Sequence, residues 1–236
     1  MIAITTVALF FRLWGIRFGF PHTLTRPDEE IIIPLAVRLW TSDLNPHFFD
    51  WPTLYPYFLS GVYAAYFAAG RLTGQFATVA DFIAATTAHP VQFHLIDRFT
   101  VAVLGTATVP LLYAAARRLF NSEVALVAAA LLAVAFLHVR ESHFGMTDVP
   151  ATFMIVLAFA FMAVRPVDSR HQWSVLGAAV LCGLATATKY NALLIAVPLL
   201  VLVAKREWDG NRSAARFFAA CGLMALGVAF GFCLGT

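Results

Sequence analysis

The chain consists largely of apolar stretches that follow one another with few charges between them. Of its 236 residues, 61% are hydrophobic and only 12% are charged, which is about half the charge of a typical soluble domain. Runs of this kind are typical of helices that cross a bilayer, and the two-residue alternation of a membrane barrel is absent. The sequence therefore predicts an all-α, polytopic membrane protein.

Seven apolar stretches are predicted to be transmembrane helices. Several are shorter than the ~20 residues of an upright span, so their boundaries are approximate. We expect them to form one transmembrane domain over residues 1–236, the N-terminal part of a longer module, because the chain ends within the apolar stretch "GFCLGT". The seven stretches are Met1–Phe18, Thr100–Ala116, Val124–His138, Val149–Val164, Ser174–Thr188, Ala192–Ala204 and Ala214–Gly235.

One further apolar stretch, Leu54–Gly70, is predicted to lie in the membrane interface without crossing. Its length would reach about 25 Å as a helix, short of a ~30 Å hydrocarbon core. It also contains four tyrosines, and tyrosine prefers the interface. Residues 19–97 would then form one long outer loop that carries amphipathic interfacial helices.

The distribution of cations supports this arrangement through the positive-inside rule. If Leu54–Gly70 does not cross and the N-terminus is cytoplasmic, eight cations fall in cytoplasmic turns. Beyond residue 53 only Arg71, Arg98, Arg140 and Lys189 fall outside. Nine of the thirteen acidic residues and six of the seven histidines also fall outside, so we expect the functional site at the outer surface. The eight cytoplasmic cations are Arg117, Arg118, Arg165, Arg170, Lys205, Arg206, Arg212 and Arg216.

Four short motifs on the outer side carry the candidate chemistry. The motif "RPDEEII" holds Asp28, Glu29 and Glu30, "HFGMTDVPATF" holds Asp148, and "ATKYNALL" holds Lys189; the fourth motif is "FFDWPTLYPY". The first three have a purely local alternative. The acids of the first motif and Asp148 could simply start helices, with a cap and a favourable dipole, and Lys189 could be a snorkelling lysine at a helix end.

The order of the motifs along the chain is more specific than any one of them. An acidic "DEE" follows the first span, "FDWP" precedes an aromatic helix, and "IDRF" opens the next span. "RRLFN" closes that span, a second acidic motif follows, and "TKYN" lies at an outer helix end. This set resembles the membrane glycosyltransferases of the C-type fold, in the branch of the protein O-mannosyltransferases and the lipid A aminoarabinose transferase. The resemblance runs from about Phe11 to about Leu200.

The resemblance implies roles for individual residues. Asp28 would lie at the reaction centre with Glu29 as its partner, Asp148 would be the second outer-loop acid, and Lys189 would lie near the lipid phosphate. Asp50 would be the carboxylate before the interfacial proline. The sequence departs from the family at "FDWP", because protein mannosyltransferases carry a His-Pro-Pro run there and the aminoarabinose enzymes carry Glu-Lys-Pro.

General chemistry agrees with these roles. A sugar moving from a polyprenyl phosphate to a hydroxyl group needs a base, which a carboxylate can supply. It also needs cations where charge grows on the departing phosphate, and Lys189, Arg98 and Arg140 are the candidates. Asp50 and His143 are candidates for a divalent metal or for the acceptor, and whether a metal is used stays open.

We therefore predict a glycosyltransferase that uses a polyprenyl-phosphate-linked sugar at the extracytoplasmic face of the plasma (inner) membrane. The acceptor would be a protein, a lipid or a glycan, and the net charge of +3 gives no reason to expect a nucleic-acid partner. Three other functions stay open: a transporter, another lipid-linked glycan ligase or polymerase, and a non-catalytic assembly subunit. A transporter would need ionisable residues near the midplane, and only Arg12 could lie there.

Overall fold

The computed structural model describes residues 1–41, 44–48, 50–163, 171–209 and 214–236. Within these ranges the regular structure is entirely helical, which confirms the predicted all-α class. Two 3-10 turns, Thr23–Thr25 and Tyr190–Ile195, accompany the α-helices. The helices are α1 (Ile2–Leu13), α2 (Glu29–Arg38), α3 (Leu54–Thr73), α4 (Val79–Ala88), α5 (Pro90–Leu119), α6 (Ser122–Val134), α7 (Phe136–Glu141), α8 (Asp148–Ala163), α9 (His171–Thr186), α10 (Ala196–Asp209) and α11 (Ala214–Leu234).

Two of the described helices, α5 and α11, are long and apolar enough to cross a membrane by length and composition. Each of the seven predicted spans overlaps at least one of the helices above. Apart from α5 and α11, the helices in these spans are shorter than 18 residues. The full set of seven crossings therefore stays a prediction. Three of the cations predicted to be cytoplasmic, Arg165, Arg170 and Arg212, lie outside the described residues.

The predicted span Val124–His138 is interrupted in the structure. The chain leaves helical geometry at Ala135 (φ −59°, ψ 112°), which separates α6 from α7. The break frees backbone carbonyls at the end of α6, and two of them accept hydrogen bonds from the buried Arg12 side chain, at Leu132 (3.2 Å) and Ala133 (3.1 Å). Arg12 thus compensates for the missing helical donors, as a helix end in an apolar setting requires.

Helix α5 is the axis on which the outer loop packs. It begins with Pro90 in its first turn, where the missing N–H has no cost. Its 30 residues span about 45 Å, roughly 15 Å more than a hydrocarbon core. The polar residues His94, Asp97 and Arg98 all lie in its N-terminal turns, which can therefore extend into the outer interface.

The predicted loop helices α2, α3 and α4 fold against this end of α5 around an aromatic core. Phe82 of α4 is fully buried, stacks on Trp40 at 4.9 Å, and meets Phe93 of α5 edge to face at 5.3 Å. Tyr63 of α3 donates to the Phe93 carbonyl oxygen at 3.2 Å. The outer loop is thus a packed helical unit anchored on α5.

A second core joins α8, α9 and α11, and its closest contact depends on glycine. A Cβ at Gly183 of α9 would lie 2.2 Å from the Val228 backbone oxygen, and one at Gly231 of α11 would lie 2.2 Å from the Val180 oxygen. The two backbones therefore touch, as is common where transmembrane helices associate through small residues. This core fixes the end of α9, and with it the segment that carries Lys189.

Cysteine labelling from the outer face tests the side assignment of α3. In a background with the three native cysteines replaced by alanine, Thr25→Cys and Thr87→Cys flank α3, and Ser122→Cys marks the far end of α5; all three positions are exposed. We expect an impermeant maleimide to label the first two and to miss the third in intact membranes. Labelling of only one of Thr25→Cys and Thr87→Cys would show that α3 crosses. Permeabilised membranes are the control for Ser122→Cys.

Candidate active site

An open cavity of about 590 Å³ lies where α2, α7, α8 and the segment after α9 meet. Its apolar wall includes Leu137, Met146 and Val149. Its remaining lining carries seven ionisable groups. Those groups are Arg26, Asp28, His138, Arg140, Glu141, Asp148 and Lys189.

Asp28 stands at the N-cap position of α2 but does not act as a cap. Its backbone is helical (φ −69°, ψ −25°) and its carboxylate accepts no capping hydrogen bond, whereas a capping residue is normally extended. Thr25 does not cap the helix either, because its hydroxyl donates to the His22 carbonyl oxygen at 2.6 Å. The simple helix-start explanation of "RPDEE" therefore leaves the Asp28 carboxylate unexplained.

Asp148 and Lys189 meet at the cavity wall. Asp148 is the first residue of α8, and Lys189 lies in an extended turn after α9. The Lys189 ammonium donates to Asp148 Oδ1 at 2.5 Å, with 37% and 41% of the two side chains exposed. An ammonium has three donors, so one bond to Asp148 positions the lysine and leaves it able to bind an anion in the cavity.

Glu141 holds two arginines on the opposite part of the lining. It is buried, accepts from Arg26 at 3.1 Å, and accepts from Arg140 Nε at 2.8 Å. Arg140 also donates to the same oxygen through Nη2. The Arg140 side chain is 48% exposed, so its charge faces the cavity while its orientation is fixed by the buried carboxylate.

Glu29 and Arg98 form an ion pair beside the cavity rather than in it. Both side chains are essentially inaccessible to solvent, and Arg98 binds both Glu29 oxygens, at 2.8 and 2.6 Å. Arg98 Nη1 also donates to the backbone oxygens of Ile16 and Phe18, and its guanidinium carbon lies 4.2 Å from the centre of the Phe20 ring. Arg98, predicted as a phosphate ligand, is thus fully engaged with the protein.

Asp97 and Tyr55 extend this buried polar group. Tyr55 donates its hydroxyl to Asp97. Burial, with the carboxylate beside it, raises the pKa of Tyr55 well above its ordinary value, so the phenol stays protonated. Gly145 closes the group: its N–H donates to Glu29 at 2.6 Å, and a Cβ there would lie 2.0 Å from Asp97 Oδ2.

Asp50 and His143 do not line the cavity. Asp50 is exposed. The chain just after it nevertheless contacts the segment that carries Lys189, because the Leu54 N–H donates to the Ala187 carbonyl oxygen at 3.0 Å. His143 lines a separate apolar groove of about 340 Å³ together with Phe11, Phe136 and Arg140. Among the described residues, no group of three or more His, Cys, Asp or Glu side chains could hold a metal ion.

Residues 48–232 match the model of the dolichyl-phosphate-mannose-protein mannosyltransferase family. The chain belongs to this family. No curated protein and no solved structure gives a match. The predicted resemblance and the predicted enzyme class are both confirmed. This mannosyltransferase is an integral membrane glycosyltransferase with a dolichyl-phosphate-mannose donor and a protein acceptor. Membership in the family therefore excludes the transporter and assembly-subunit alternatives.

The cavity of the mannosyltransferase combines residues from inside and outside the matched region. Arg140, Asp148 and Lys189 fall within residues 48–232, whereas Asp28 precedes them. The cavity also contains three residues that were not predicted from the sequence: Arg26, His138 and Glu141. Two of them could have been found from the sequence. Arg26 stands two residues before Asp28, and Glu141 directly follows Arg140. Nothing in the sequence around His138 distinguishes it.

Proposed function

We propose that the 590 Å³ cavity is the active site, where a mannosyl group passes from dolichyl phosphate to a hydroxyl group of a protein side chain. The observation that carries the proposal is the convergence of Asp28, Arg140, Asp148 and Lys189, from four separate segments, on this one cavity. Paired acids and fixed cations at one site are what transfer from a phosphate ester requires.

In the proposed step Asp28 accepts the proton of the acceptor hydroxyl. The hydroxyl oxygen forms a bond to the anomeric carbon of mannose as the bond from that carbon to the phosphate oxygen breaks. Negative charge then increases on dolichyl phosphate, and Lys189 and Arg140 stabilise it. Because Asp148 and Glu141 already orient these two cations, little reorganisation is needed as the charge develops.

The apolar groove provides a place for the polyprenyl chain. Arg140 lines both the groove and the cavity, so a phosphate beside Arg140 would have its lipid on one side and its sugar on the other. Phe11 and Phe136 of the groove are 41% and 77% exposed, as expected of residues that face lipid. In this arrangement Arg98 and Glu29 support the site by holding α2, and they do not contact the phosphate.

The reaction is proposed to occur at the extracytoplasmic face of the plasma (inner) membrane. The eight-to-four distribution of cations along the sequence supports this side. This side is also supported by the length of α5, whose polar N-terminal turns extend past a hydrocarbon core. The outer-loop helices packed on those turns would keep the cavity at the interface, where the lipid-linked donor and a protein acceptor can both reach it.

Replacement of Lys189 tests the proposed phosphate side of the site. In the full-length protein, Lys189→Ala should weaken binding of dolichyl phosphate mannose by about ten- to hundredfold, since a hydrogen bond to a charged group is lost. Lys189→Arg keeps the charge and should retain most of the binding. The measurement is a titration of the purified protein with the donor.

Lys205→Ala is the matched control, because Lys205 is an exposed lysine in the C-terminal part of α10. It should leave donor affinity unchanged. If Lys189→Ala binds the donor as tightly as the parent protein does, Lys189 is only a snorkelling lysine paired with Asp148, and the proposed placement of the phosphate is wrong.

A further inference from the structure

His138 is held in the cavity by a buried arginine. It lies on α7, three residues after the break at Ala135, and it lines the cavity beside Leu137 and Arg140. Arg12 Nη2 contacts its Nδ1 at 2.8 Å. The same guanidinium binds the carbonyl oxygens at the end of α6, so the helix break and the histidine are fixed by one side chain.

The contact with Arg12 determines which ring nitrogen of His138 carries the proton. A guanidinium has donors only, so Nδ1 must accept with its lone pair. The proton of the neutral ring is therefore on Nε2. This nitrogen is buried and has no hydrogen-bond partner among the described residues, which is uncommon for a buried donor and calls for an explanation.

We propose that His138 binds the lipid-linked sugar donor through its Nε2–H, which donates to an oxygen of the mannosyl phosphate, and that Arg12 is its positioning residue. This inference rests on the proposed function of the cavity. A neutral donor suits the position, because it can bind either a phosphate oxygen or a sugar hydroxyl without exchanging a proton with the acids of the cavity. The cations of the same cavity are held by acids: Arg26 and Arg140 by Glu141, and Lys189 by Asp148.

Other unpartnered polar atoms do not offer the same opportunity. Asp97 Oδ2 also lacks a partner, but a Cβ on Gly145 would lie 2.0 Å from it, so a ligand has no room there. His143 Nε2 lacks a partner too, but it lies at the apolar groove rather than in the polar cavity. Arg26 Nε lacks a partner as well, and Arg26 lines the polar cavity with His138, but its guanidinium is already held by Glu141.

Two amide substitutions separate the roles of the two ring nitrogens of His138. An asparagine amide reaches the position of Nδ1, so His138→Asn can still accept from Arg12 but presents no donor at Nε2. A glutamine amide reaches the position of Nε2, so His138→Gln restores the donor and gives up the Arg12 contact. We expect His138→Asn to weaken binding of dolichyl phosphate mannose by about tenfold or more, and His138→Gln to bind within a few-fold of the parent protein.

The ranking decides between binding and structure. A residue that served only to hold Arg12 and the helix break would give the opposite order, with asparagine tolerated and glutamine harmful to donor binding and to thermal stability, and that order would overturn the proposal. Titration with dolichyl phosphate identifies the bonded oxygen: weaker binding of both lipids by His138→Asn indicates the phosphate, and weaker binding of the mannosylated lipid alone indicates the sugar.

The parent protein separates this inference from the proposed function. If the parent does not bind dolichyl phosphate mannose, or if Lys189→Ala binds it as tightly as the parent does, the proposed active site itself fails. If the parent binds and Lys189→Ala weakens binding, but His138→Asn equals the parent, only the role of His138 is rejected.

Discussion

Asp28→Asn should lower mannosyl transfer by about 10²–10⁴-fold, the usual contribution of a general base. This corresponds to roughly 3–5 kcal/mol of activation free energy. Asparagine keeps the size of the side chain and caps a helix about as well as aspartate does. Because the Asp28 carboxylate caps nothing in the structure, folding and donor binding should be retained while the proton acceptor is lost.

The measurement is transfer from dolichyl phosphate mannose to an acceptor peptide by the full-length protein, with donor binding determined in parallel. Glu30→Gln is the matched control: it is the same acid-to-amide change two residues away. Glu30 faces His94 at 3.4 Å and is not among the cavity-lining residues, so its replacement should change transfer by no more than a few-fold. Transfer by Asp28→Asn within a few-fold of the parent would move the search for the base to Asp148.

The sequence was sufficient to predict much of the architecture and several residues of the candidate cavity. Apolar length predicted helices at all seven stretches, and the order of the polar motifs selected Asp28, Asp148 and Lys189. The need for a cation at the departing phosphate added Arg140, and all four residues line one cavity. This works because a membrane protein keeps few charges, and those at helix ends on the same side converge when the helices pack. An order of motifs thus contains spatial information that no single motif has.

The different environments of adjacent acids could not be predicted in the same way. Asp28 lines the cavity, whereas Glu29 is buried against Arg98. Consecutive residues on a helix point about 100° apart, so the helix rotation decides which carboxylate faces the cavity. That rotation is set by Arg98 and by the Gly145 N–H, which are 69 and 116 residues away in the chain.

The break between α6 and α7 was missed for a similar reason. Ala135 is flanked by apolar residues, and no proline or glycine marks it. The break becomes tolerable only because Arg12, from the first helix, binds the freed carbonyl oxygens. A lone arginine within an apolar stretch suggested a midplane charge. In the structure, Arg12 donates to carbonyl oxygens at the end of α6 and also orients His138.

The second large effect should come from Arg98→Met, as a loss of stability rather than of phosphate binding. Methionine fills a similar volume but leaves Glu29 buried without its cation. Removing one partner of a buried ion pair typically costs about 3–5 kcal/mol. Arg98 also donates to two backbone carbonyl oxygens of the chain after α1. Without these contacts and the Glu29 pair, α2 and the adjacent Asp28 should become less well ordered. Mannosyl transfer should therefore fall together with stability.

Thermal unfolding of the purified protein measures this effect, and Arg71→Met is the control, because Arg71 is an exposed arginine at the end of α3. The double variant Glu29→Gln, Arg98→Met removes both charges and should recover part of the lost stability, since no uncompensated carboxylate stays buried. A phosphate ligand would behave differently. If Arg98→Met unfolds like the parent but binds dolichyl phosphate mannose much more weakly, then Arg98 contacts the donor, and the ion pair with Glu29 opens when the donor binds.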